Sequence, residues 1–310
     1  MKTSLIHRVS ASLALAFLLL GLSHAANQAP VIHAFNAGES AIFVNAYVID
    51  TGTGLVVVDS TLTESSSKSL KATIDKLGKP IHAVIVTHGH PDHYNGLTNV
   101  VAGTSIPVYS TQETLDVIKA SDAAKEKQWK PVFGAEWPTK RTFPNKTVRD
   151  GQTLTFDGVR FTVHAMGPAE SHADSIWLMS GNGVRAAFVG DMLFNGVHSY
   201  LCDGHTALWL AALDRLDATL KRARIALVYP GHGSPGDLTL IEHQREYLRI
   251  YRDEIRVLAA DGQLSESDLA TLKQKLESAT SVKGIDFLVS TCAAPVAAEL
   301  GLALEPNAKP

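Results

Sequence analysis

The stretch Thr87-His88-Gly89-His90-Pro91-Asp92-His93 constrains this chain more than any other. It follows directly on Ile81 to Val86, a short apolar run bounded by polar residues, which fits a buried strand. Four metal-capable side chains therefore lie within six residues at a strand end. Imidazole and carboxylate are the ligands that suit zinc and other divalent metals. Alternate residues of an extended segment point the same way, so His88 and His90 share one side. Asp92 and His93 follow in a turn and face another point. One loop can thus serve two metal ions, and Gly89 and Gly96 leave its backbone room to bend.

The rest of the chain alternates between strand and helix patterns. Ala41 to Val48 and Gly54 to Val58 are β-rich runs separated by Asp50-Thr51-Gly52-Thr53, a hairpin ending at Asp59. Glu64 to Leu77 carries Leu70, Ile74 and Leu77 at helical spacing, and Gly78 stops it. Thr111 to Lys119 reads as helix. Gln128 to Lys146 mixes Trp129, Phe133, Trp137 and Phe143 with Pro131, Pro138 and Pro144, which suggests an ordered loop. Asp157-Gly158 and Gly181-Asn182-Gly183 each sit between apolar runs as hairpin turns. Thr206 to Leu220 is a helix, Ile225 to Tyr229 a strand, and Leu238 to Leu258 a long helix before two shorter ones. Two sheets packed face to face with helices outside fit this order.

Composition narrows the class. With 45% hydrophobic residues the chain is too apolar for disorder. Its 28 Lys+Arg against 31 Asp+Glu give no basic stripe for nucleic acid. Residues Met1 to Ala26 hold Lys2 and Arg8 without an acid, then an apolar run from Ser10 to Leu22, then Ser23-His24-Ala25. That order reads as a secretory signal peptide, leaving 27–310 as one domain that is periplasmic or secreted and free of the membrane after cleavage. In such a compartment Cys202 and Cys292 form either one disulfide or two buried thiols, and the sequence leaves both open.

His-x-His-x-Asp-His after an apolar strand resembles the metallo-β-lactamase superfamily. Further landmarks of that family follow in order: Val56-Val57-Val58-Asp59, then His172 in Glu170-Ser171-His172-Ala173-Asp174-Ser175, then Phe188-Val189-Gly190-Asp191, then Pro230-Gly231-His232-Gly233. The resemblance covers about residues 40 to 235. It implies a four-layer αββα sandwich of two mixed β-sheets flanked by helices. It implies two divalent metal ions, expected to be zinc. His88, His90 and His172 would hold the first, and Asp92, His93 and His232 the second. Asp191 would bridge them with a hydroxide, and Asp59 would orient the metal loop by hydrogen bonds. Asp92 and Asp191 would be the catalytic carboxylates. Tyr94, Phe194, His198 and Tyr200, beside the ligand loops, are candidate pocket walls, whereas His33, His82, His164, His205 and His243 fall outside the landmarks.

The bridging residue points to a branch. Metallo-β-lactamases proper typically carry cysteine or serine there, whereas aspartate is the pattern of glyoxalase II-like thioesterases, lactonases, and organophosphate and sulfate ester hydrolases. The expected reaction is hydrolysis of a small ester, lactone, thioester or lactam. The alternatives are antibiotic hydrolysis as a β-lactamase proper, and a mononuclear iron oxygenase acting on persulfides. The expected partner is a small-molecule substrate, not nucleic acid.

Overall fold

A computed structural model describes residues 28–101 and 103–304. The expected signal peptide lies outside the described residues. Among the described residues, eleven strands form two sheets. The first has the order β1 (Val31–Asn36), β2 (Asn45–Asp50), β3 (Leu55–Val58), β4 (Ile81–Ile85), β5 (Val108–Thr111), β6 (Lys146–Val148). β1, β2 and β3 pair antiparallel, and β3 to β6 run parallel. The second sheet is β11 (Val228–His232), β10 (Val184–Phe194), β9 (Asp174–Gly181), β8 (Val159–Gly167), β7 (Thr153–Phe156). There only β10 and β11 are parallel.

Side-chain alternation explains why the sheets stack. Tyr47, Ile49, Val56 and Val58 point inward and meet Phe161, Val163, Trp177, Met179 and Phe188 of the second sheet. Their neighbours Ala46, Val48, Leu55 and Val57 point outward and meet Leu70 and Ile74 of the helix Glu64–Lys76. The outer face of the second sheet, with Ala187 and Val189, is covered by Trp209, Leu213, Leu216, Leu248 and Tyr251 from the helices Thr206–Arg222 and Thr239–Leu258. The layers are therefore αββα, as the sequence implied.

Most element expectations agree with the structure, and the differences have reasons. Asp157-Gly158 and Asn182-Gly183 form tight turns with positive φ at both positions, the conformation that Asp-Gly and Asn-Gly favour. β1 was not anticipated: it is a sheet edge with partly exposed residues and little apolar alternation. The helix expected to end at Lys119 runs as Gln112–Phe133. The first third of the segment read as a loop, residues 128–133, is thus helix, and Pro131 sits in its last turn. Trp129 and Phe133, one turn apart on that helix, lie on the same side and pack towards Trp137 and Ile42. That contact with the body outweighs the local cost of the proline. Cys202 and Cys292 are paired in a disulfide.

One contact ties the sheets together at the edge far from the His-rich loop. Asp157, in the β7–β8 turn, accepts hydrogen bonds from Thr51 Oγ1 (2.7 Å), Thr53 N (2.9 Å) and Thr53 Oγ1 (2.7 Å) in the β2–β3 turn. His82 of β4 adds a contact at 3.2 Å. Partial burial opposes the charge, but the threonine hydrogen bonds prevail and lower the carboxyl to about 2. Asp157→Asn keeps the left-handed backbone tolerable while removing the charge. It should cost about 1–3 kcal/mol, read by urea unfolding at neutral pH. In the unmodified chain this stabilisation is complete above about pH 4 and is lost as pH falls towards 2; the asparagine variant should lack that acid limb.

Candidate metal centre

The ends of the central strands converge on one buried cluster. β4 leads into His88, His90, Asp92 and His93. β10 carries Asp191 within its length, not at its end, and β11 closes on His232. Gly231 makes the approach of β10 and β11 possible, because a Cβ there would collide with Asp191 Oδ1.

Asp92, His93, Asp191 and His232 form one ligand group. His93 Nε2 lies 3.2 Å from Asp191 Oδ1 and 3.5 Å from Asp92 Oδ2. His232 Nε2 lies 3.1 Å from Asp92 Oδ2 and 3.2 Å from Asp191 Oδ2. A second group consists of His88, His90 and Glu170. Glu170 Oε2 stands 3.0 Å from His90 Nδ1 and 3.5 Å from His88 Nε2. Asp191 Oδ2, 4.0 Å from His88 Nε2, lies between the groups.

Each imidazole is held by its other nitrogen. His93 Nδ1 contacts Asp59 Oδ2 at 2.8 Å, and His232 Nδ1 contacts the Ile42 carbonyl at 2.8 Å. His90 Nε2 contacts Asp203 Oδ2 at 3.1 Å. Thr87 Oγ1 donates to Asp59 Oδ2, so it accepts from His88 Nδ1 at 3.0 Å. These partners orient the rings and turn four ring nitrogens inward. Asp59 also accepts from Thr87 N at 2.9 Å, and its φ of 60° shows a backbone bent to reach both ends of the His-rich loop.

The inward atoms fit a divalent metal. His88 Nε2, His93 Nε2, both Glu170 oxygens and Asp191 Oδ1 are buried without a hydrogen-bond partner. Acceptors facing acceptors in a buried space call for cations. Burial drives His88 towards the neutral form and pushes the Glu170 carboxyl well above the usual range, only partly offset by His90. Burial also opposes the Asp191 charge, but His232, His93 and His88 outweigh it and keep it ionised.

His172 departs from expectation. Its side chain is 54% exposed, with Nδ1 2.6 Å from His205 Nε2 and Nε2 3.7 Å from Asp203. The structure does not bring it to His88 and His90; Glu170, two residues earlier, stands there instead. The Asp174 carboxylate explains the exchange. It accepts from Ala169 N (3.2 Å) and Ser171 N (2.9 Å), curling the turn so that position 170 faces inward and 172 outward. His205, set aside in the sequence reading, is the partner of His172.

A cavity of about 560 Å³, counting its open mouth, leads to the cluster. His90, Asp92, Glu170, Asp191 and His232 form its floor. Its walls are Ile42, Leu62, Trp129, Phe133, Trp137, Phe194, Ile285, Phe287 and Leu288, with Lys125 and Tyr200 as polar exceptions. Of the expected pocket residues, Phe194 and Tyr200 line it, and Phe194 stacks on His232. Tyr94 and His198 do not. Tyr94 is buried with its hydroxyl donating to Asp122, and His198 is buried against the Tyr247 hydroxyl. Lys125 was missed because the helix carrying it was read as too short.

Glu170→Ala should lower the metal content of the purified protein, whereas His172→Ala should leave it unchanged; elemental analysis per chain distinguishes them. A cation must displace the proton that burial favours on Glu170, so metal affinity should rise with pH. A chelator competition series over pH measures that slope. Gly231→Ala should also reduce metal content by moving Asp191.

The metallo-beta-lactamase superfamily model matches residues 40–232. A metallo-beta-lactamase type 2 from Bacillus sp. (strain 170) is 28% identical, over 67% of this chain and 74% of its own length. A hydroxyacylglutathione hydrolase from Serratia proteamaculans is 25% identical, over 66% of this chain and 70% of its own. Among solved structures, a beta-lactamase domain protein from Burkholderia ambifaria superposes with a TM-score of 0.63 at 18% identity, over 88% of this chain and 86% of its own. With its sandwich, strand-end ligands and matching family model, the chain belongs to the metallo-beta-lactamase superfamily and is a metal-dependent hydrolase.

Proposed function

We propose that the protein hydrolyses an ester, lactone, thioester or lactam that carries a sizeable apolar group, using two divalent metal ions, zinc in the first place. The observation that carries this reading is the pair of buried ligand groups at the floor of an aromatic cavity. His88, His90 and Glu170 would hold one ion, and Asp92, His93 and His232 the other, with Asp191 between them. When bound, such ions polarise the scissile carbonyl and make water acidic enough to attack at neutral pH.

The chain's own residues do the rest. Asp59, Thr87, Asp203 and the Ile42 carbonyl hold the outward ring nitrogens, so the inward nitrogens keep their direction when a metal enters. Trp129, Phe133, Trp137 and Phe287 exclude water from one side of the substrate and take up its apolar part. Lys125, held against the Tyr200 hydroxyl at 3.0 Å, places one ammonium beside the site where charge develops or departs. Among the described residues no helix is long and apolar enough to cross a membrane. The Cys202–Cys292 disulfide supports action outside the cytosol, in a periplasm or secreted.

Metal-loaded protein tested on aryl esters, lactones, thioesters and nitrocefin should prefer substrates with longer acyl groups. Each buried methylene should raise kcat/KM by roughly fourfold until the cavity is full. A flat or falling series would remove the apolar assignment. Asp92→Ala should cut turnover roughly 100-fold or more on every substrate while leaving the fold, checked by circular dichroism. Wild-type rates in that variant would overturn the two-metal reading.

A further inference from the structure

We propose that Asp203 is the positioning residue of the first metal subsite, and that the Cys202–Cys292 disulfide keeps it in place. This rests on the assignment of His88, His90 and Glu170 to a metal. Asp203 lies outside every motif found in the sequence, in the irregular stretch between β10 and the helix Thr206–Arg222.

Geometry makes it the second partner of His90. One nitrogen of that ring, Nδ1, lies 3.0 Å from Glu170 Oε2, and the other, Nε2, lies 3.1 Å from Asp203 Oδ2. The Asp203 side chain is only 9% exposed. A carboxylate accepting the Nε2 proton fixes Nδ1 as the lone pair and makes it more basic, as a metal ligand requires. The other Asp203 oxygen accepts from the Tyr200 hydroxyl at 3.2 Å and lies 3.5 Å from Lys125 Nζ. Tyr200 in turn packs edge-on against the His90 ring, 4.9 Å between centroids. Asp203 therefore sets the ring's tautomer directly and its tilt through Tyr200.

An irregular stretch does not hold a carboxylate by itself. Here the neighbouring residue, Cys202, is bonded to Cys292, 90 positions away, at the junction of the helices Phe287–Thr291 and Ala293–Glu299. Leu201 N also donates to Cys292 Sγ at 3.3 Å. Farther along, Glu299 accepts from Thr206 N at 3.1 Å and Ala207 N at 2.9 Å. The C-terminal helices thus clamp both ends of the segment, and the disulfide is the clamp adjacent to Asp203. Asp59 plays the same part for His93 but sits on a strand end, where the sheet holds it.

The test uses the full chain loaded with zinc or cobalt(II), with the affinity of each ion read by chelator competition. Asp203→Asn keeps the shape and removes the charge. It should weaken one ion by about 10–100-fold and leave the other at wild-type affinity, with the cobalt absorption of the weakened ion altered. Replacing both cysteines by serine should shift the same ion in the same direction, by less. A merely structural role would weaken both ions together and lower the melting temperature of the metal-free chain. That result, or wild-type affinities for both ions in Asp203→Asn, would overturn the proposal. A wild-type chain that binds no ion through His88, His90 and Glu170 would overturn the underlying metal assignment as well, so the two failures are distinguishable.

Discussion

Among the described residues, seven side chains bring ring nitrogens and carboxylate oxygens together in a space shielded from water, where His88 Nε2, His93 Nε2, both Glu170 oxygens and Asp191 Oδ1 find no hydrogen-bond partner. Mutual repulsion and desolvation would disperse such a group if its members were free. They are not free. Each is fixed by a backbone segment or a hydrogen bond directed outward, away from the cluster. The αββα sandwich supplies the fixing points, because the ends of β3, β4, β10 and β11 meet on one edge of the two sheets. Removing the cluster would leave the sandwich core intact, but removing the sandwich would leave no way to hold these groups together.

The aromatic wall depends on the same edge. Helix Gln112–Phe133 follows β5, and the segment with Ile285, Phe287 and Leu288 follows helix Glu266–Thr280. One comes from the first sheet's side and the other from the second's. Trp129 meets Phe287 across the mouth, 6.3 Å between ring centroids. The cavity is therefore a seam between the two halves, and a substrate's apolar portion would touch both. Trp129, Phe133 and Phe287 thus stand on elements separate from the floor residues, whereas Phe194 stacks on His232 and Tyr200 packs against His90.

The parts legible in the sequence are those set by short-range rules. His88, His90, Asp92 and His93 share a six-residue stretch, and Asp59, Asp191 and His232 each follow or lie in an apolar strand. The Asp-Gly and Asn-Gly turns announced two hairpins. What escaped depends on the direction of a turn or on contacts distant in sequence. Glu170 and His172 are two residues apart in an irregular turn, and only the Asp174 hydrogen bonds decide which points inward. Asp203 reaches His90 across 113 positions. The helix through Trp129 continues through Pro131, because its half-buried aromatic face packs towards Trp137 and Ile42. His198 looked like a mouth residue from its spacing to Asp191, yet the chain after Phe194 turns inward and buries it.

Glu170 also changes the electrostatics of the floor. With Asp92 and Asp191 it puts three carboxylates at the floor, where a histidine in its place would leave two. The difference matters most for product. Under the proposed hydrolysis the product is a carboxylate, and a more positive floor would hold that anion more tightly. Under that proposal a lower charge would speed release and weaken any preference for anionic substrates, while apolar walls would supply binding that does not depend on charge. Under the proposed function, Glu170 at the floor and the aromatic lining would thus act in the same direction, moving recognition from the floor to the walls.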